Sequence, residues 1–137
     1  MVVKKVVLSA LITGCLLLAL SILGLYCTIW LFPSVAVQYF DPTFDLQSER
    51  AALYFIHPFV AGSALAWFWD RSKGLFKGSF LNRSVEFGLL YWLVAVLPMM
   101  WLIYSAIDVS LLLVGSWLLF GLIQGIVAGL LFQKMNA

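Results

Sequence analysis

The chain has 137 residues, of which 64% are hydrophobic and only 10% charged, with a net charge of +2. Ordinary globular domains carry about a quarter charged residues, so a water-soluble core is excluded, and so is intrinsic disorder, whose signature is low hydrophobicity with high charge. With no basic tract to meet a phosphate backbone, nucleic acid is excluded as a partner too.

In chain order, an uncharged apolar run extends from Val6 to Phe32 and gives way to a turn-rich stretch from Pro33 to Arg50. A second run covers Ala51 to Trp69. After the charged segment Asp70 to Arg83 comes a long apolar stretch, Val85 to Phe132, with Glu86 at its very start and a single charge at Asp108 inside it. A hydrocarbon core about 30 Å thick takes about 20 helical residues at 1.5 Å rise each, so this last stretch divides into two crossings. Asp108 and Ser110 mark the division, because both favour helix N-caps and neither belongs in hydrocarbon. The expected fold is all-α, a single integral membrane domain over residues 1–137. It is a membrane-embedded four-helix bundle with spans near 6–32, 51–69, 85–107 and 109–132, the third and fourth forming a tight hairpin.

Orientation follows from Lys and Arg. Four spans place the N-terminus, the loop between spans two and three and the C-terminus on one side, with Lys4, Lys5, Arg71, Lys73, Lys77, Arg83 and Lys134; the other side holds only Arg50. Positive loops stay in the cytoplasm, which predicts both termini inside. Asp41, Asp45, Glu49 and Asp108 then fall outside. Tyr26 and Trp30 near the outer end of span one, and Trp67 and Trp69 near the inner end of span two, read as interfacial belts.

The first span has a competing reading. Met1 to Lys5 is a basic start, and Ile12-Thr13-Gly14-Cys15 resembles, over four residues, the box at which bacterial lipoproteins are cleaved and lipidated. A secretory apolar core is about 7–15 residues long, whereas this one continues to Phe32, so a retained span is expected. Cys15 and Cys27 lie twelve residues apart, about 18 Å on one helix, and cannot bridge each other. Without a C-x-x-C, membrane enzymes resembling vitamin K epoxide reductase or the disulfide-generating quinone oxidoreductases are excluded. Both cysteines are expected to pack as small buried hydrophobes.

Polar residues inside the spans are costly in lipid and must be paired or functional. On a helical wheel Arg50, Tyr54, His57, Ala61 and Ala64 share a face that should look into the bundle, and Tyr104, Ser105 and Asp108 come to the same outer half. These residues form a candidate outward-facing polar pocket around His57, whose imidazole is expected to serve it as a proton-exchanging group or as a ligand. The competing reading is a structural histidine bonded to Tyr or to a carbonyl freed by Pro58. A single His makes no ordinary metal cage, and neither a metal nor a cofactor is expected. Glu86, at the start of span three, is expected to pair with Arg83 or Arg71. Gln124 should hydrogen-bond across a helix interface.

The most specific motif is a glycine row, Gly121, Gly125 and Gly129, two overlapping G-x-x-x-G units whose members lie within about 80° on a helix. It offers a strip for close backbone approach, and a helix of the same chain is the expected partner, span two with Ala61, Gly62, Ser63 and Ala66 or span one with Ala10 and Gly14. In the inner loop, Arg71, Lys73, Lys77 and Arg83 alternate with Leu75, Phe76, Phe80 and Leu81, a pattern suited to anionic lipid headgroups.

His57-Pro58-Phe59, Leu65-Ala66-Trp67 with Trp69-Asp70, and Phe87-Gly88-Leu89 with Tyr91 resemble small four-span bacterial inner-membrane proteins of uncharacterised role. That resemblance, over roughly the last ninety residues, implies a fold and a bacterial cytoplasmic membrane, and no activity. Small multidrug transporters carry a membrane-embedded Glu in span one, which this chain lacks, and dual-topology fluoride channels balance their Lys and Arg. The expected function is an accessory, structural or assembly subunit without catalysis, with lipid and another membrane protein or a second copy as partners. The alternative is a small transporter or channel using the His57 pocket, and an enzyme acting on lipid or quinone has neither paired carboxylates nor a cysteine motif to support it.

Overall fold

The computed structural model describes residues 2–39 and 48–137; of Ser48 and Glu49 only the backbone is described. The elements are α1 (Val2–Leu31), α2 (Pro33–Gln38), α3 (Ser48–Ser72), α4 (Phe80–Tyr91), a π turn (Trp92–Val96), α5 (Leu97–Ala106) and α6 (Leu111–Met135). Among the described residues there is no strand, and four helical segments are long and apolar enough to cross a membrane: Val2–Leu31, Arg50–Ser72, Phe80–Ala106 and Leu111–Met135. Asp41 and Asp45 lie outside the described residues.

Local chemistry explains where the helices begin and end. Pro33 disfavours helical backbone at Phe32, which ends α1 and leaves Pro33 in the first turn of α2. Ser110 caps α6 by accepting from the Leu113 amide at 3.1 Å, so the chain turns between Ala106 and Leu111. Ser79 does the same for α4 at 3.2 Å from Asn82 N, and Gly78 precedes it at φ +99°, a backbone that L side chains rarely adopt. The third span therefore starts at Phe80, five residues before the expected 85. It is also not one uniform helix. Pro98 has no N–H to give its preceding turn, and immediately before it the ladder widens, Leu97 N–H reaching back to Trp92 O.

Close-packed small residues set the pairing. Gly62 of α3 meets α1 so tightly that a Cβ there would lie 2.9 Å from Gly14 N and 3.1 Å from Ala10 O. The glycine row of α6 meets α4: a Cβ on Gly125 would lie 2.8 Å from Tyr91 Cδ1 and 3.2 Å from Gly88 O, and one on Gly129 would lie 3.0 Å from Ser84 O. Gly121 faces Val96 in the π turn. Gly88 completes the seam from the other side, 2.7 Å being all that separates a Cβ there from Ile126 N. Neither span two nor span one, the expected partners, takes the row. They pair instead with each other, because Gly14 and Gly62 let those two backbones touch.

Both pairs are antiparallel, and α1 lies against α6, with Gly24 on Phe120 and Gln124 Nε2 donating to Ser21 Oγ at a long 3.4 Å. One end of the molecule, here the lower end, gathers the start of α1, residues 73–79 and the end of α6. The upper end holds α2 and the 107–110 turn. There Val35 is buried, Ser110 Oγ donates to Gln38 Oε1, and Trp117 Nε1 donates to the Tyr39 hydroxyl at 2.7 Å. Burial raises the Tyr39 phenol above its ordinary value, against a lowering by that hydrogen bond.

Candidate functional site

The best-assembled polar site lies at the lower end, on a floor of aromatic rings. Trp69, Phe76, Phe87 and Phe132 are all buried. Trp69 stacks on Phe76 at 5.7 Å between centroids and meets Phe87 edge-on at 5.3 Å, while Phe87 meets Phe132 edge-on at 5.9 Å. Such pairs contribute about 0.5–1.5 kcal/mol each beyond their buried area. They join the end of α3, the following loop, α4 and α6 in one packing unit.

Over this floor runs a collar of hydrogen bonds. Trp69 Nε1 donates to Asn136 O at 2.8 Å, Asn136 Nδ2 to Asp70 Oδ1 at 3.0 Å, and Lys73 Nζ to Asn136 Oδ1 at 2.8 Å. Lys73 Nζ also pairs with Asp70 Oδ1 at 3.3 Å. Arg83 lies 5.5 Å above the Trp69 ring and donates from Nη2 to Lys73 O at 3.2 Å, while its buried Nε has no partner. Deeper, Gln133 Nε2 donates to Phe80 O and Ser84 Oγ, and Ser84 Oγ donates to Phe80 O at 2.9 Å.

The residues of the expected headgroup set therefore part company. Lys73 is tied internally to Asp70 and Asn136. Arg71 and Lys77 are exposed, Arg71 over the Trp67 ring at 5.4 Å, and Arg83 is half-buried. Trp69, read from the sequence as a belt residue, is instead the centre of the core. Glu86 is exposed and pairs with neither Arg83 nor Arg71 among the described residues.

The expected polar pocket is not gathered. Arg50, Tyr54, His57, Tyr104, Ser105 and Asp108 are all exposed, and no described hydrogen bond or ion pair links any two of them. Ser105 Oγ donates only to Leu102 O of its own helix, and His57 has no polar partner among the described residues. The face of α3 that looks inward carries Pro58, Gly62, Leu65, Ala66 and Trp69. Helix-to-helix contact through small residues and one large indole buries more than the polar stripe could, and turns that stripe outward. Cys15 and Cys27 are likewise exposed on α1, not buried.

Sequence reading passed over Asn136, Gln133 and Ser84. The available signal was two amides and a lysine clustered where α6 leaves its apolar run, a place where orphan carbonyls and donors need partners. No family model, curated protein or solved structure matches the chain.

Proposed function

We propose that this is a multi-pass protein of a bacterial cytoplasmic membrane, one integral domain with the lower end and both termini in the cytoplasm, acting as a structural or assembly subunit rather than a catalyst. One observation carries the reading. The only polar side chains drawn into a connected network among the described residues fasten helix ends, as Asp70, Lys73, Gln133 and Asn136 do, while the flanks are apolar and exposed. The whole of α5 buries no side chain, and Trp101 is 76% exposed. Flanks of that kind suit lipid on one side and a neighbouring membrane protein, or a second copy, on another.

The test is native mass in mild detergent together with flux in liposomes. The reading expects the chain to run in an assembly larger than itself and to pass no protons or ions when reconstituted alone. A proton flux abolished by His57→Ala would replace this reading with the transporter alternative.

A further inference from the structure

We infer that the loop 73–79 and the first turn of α4 hold an anionic phospholipid, its phosphate on the Arg83 guanidinium and its charge shared with Lys77 and Arg71. This rests on the lower end lying at a headgroup layer, as proposed above. The charge is the first support. Seven basic side chains at this end stand against two acidic ones, Asp70 and Glu86, an excess of five. Among the described residues the only ion pair is Lys73 with Asp70, and Arg71, Lys77 and Arg83 form none.

Arg83 is the second. Its guanidinium is set in place by the Trp69 ring and by one bond to Lys73 O, yet of its five N–H donors that carbonyl takes one, and the buried Nε has none. A planar fork of donors matches phosphate oxygens, and a side chain already ordered loses little freedom on binding them. Arg83 as a whole residue is only half-buried.

The apolar rim is the third. Leu75 is 75% exposed, and Phe80 and Leu81 are 53% and 59% exposed, in the same loop and first turn of α4 as Lys77 and Arg83. Water gains nothing from that arrangement, whereas the glycerol and first acyl carbons of a lipid cover it. Inorganic phosphate would satisfy the charge and leave the rim bare, and a zwitterionic lipid brings its own cation against an excess of five. The occupant is therefore an anionic phospholipid.

The full chain in neutral detergent would be titrated with phosphatidylglycerol, phosphatidylcholine or inorganic phosphate, following retained lipid by native mass spectrometry and the unfolding midpoint in parallel. Phosphatidylglycerol should be retained at least about fivefold better than phosphatidylcholine and should alone raise the midpoint. Arg83→Gln, and separately the surface double variant Arg71→Gln with Lys77→Gln, should each weaken retention about fivefold per charge removed. The double variant alters exposed side chains only, so it decides the matter if Arg83→Gln does not fold. Equal retention of the two lipids, a midpoint shift reproduced by phosphate alone, or undiminished retention in the variants that fold would overturn the inference. A mistaken membrane orientation would leave these detergent results unchanged, so the two readings fail separately.

Discussion

At the scale of single residues, glycine does most to set the packing. Leucine at position 125 would put a branched side chain where Tyr91 and the Gly88 backbone already stand. Gly125→Leu should therefore cost about 1–3 kcal/mol by overpacking, read as a lowered unfolding midpoint in detergent, with Leu122→Ala costing less if the seam dominates. Gly88→Ala is a sharper test, because its new Cβ meets the Ile126 backbone, which cannot rotate away. His57→Ala, at an exposed side chain with no described polar partner, should shift stability by less than about 0.5 kcal/mol. The glycine row was legible in the sequence because its spacing is periodic. Its partner was not, since the answering residue is a lone Gly88 with no motif around it, and Gly62 looked equally suitable until Gly14 claimed it.

At the scale of elements, Pro33 and Ser110 marked boundaries in the sequence, whereas Ser79, the cap that starts α4 at Phe80, was passed over for a start at 85. The face each helix turns inward was harder. On α3 the wheel groups Arg50, Tyr54 and His57 as readily as it groups Gly62, Ala66 and Trp69, and only the packing partner decides between them. The indole of Trp69 is what ties α3 to α6 at the lower end. Trp69→Ala should cost about 3–5 kcal/mol by emptying the aromatic floor. Asn136→Ala removes the two side-chain bonds to Asp70 and Lys73 but keeps the carbonyl that Trp69 uses, and should cost nearer 1 kcal/mol. Thermal unfolding of the two variants side by side checks the order. If Asn136→Ala were the worse of the two, the collar rather than the aromatic floor would be holding this end together.

At the scale of the whole molecule, composition alone pointed to a membrane protein, and four apolar helices of crossing length agree with it. The candidate site was far less legible. Polar residues within apolar runs draw the eye, yet those at the lower end acquire meaning only when α3, α4 and α6 meet there in space. The account depends on that end lying in the cytoplasm. With Cys15 and Cys27 replaced by Ala, a single cysteine at position 77 and, in a second variant, at position 108 would be treated with a membrane-impermeant maleimide in intact cells and in everted vesicles. Position 108 should label in cells and position 77 only in everted vesicles. Labelling of both from the same side, or of position 77 in intact cells, would contradict the account.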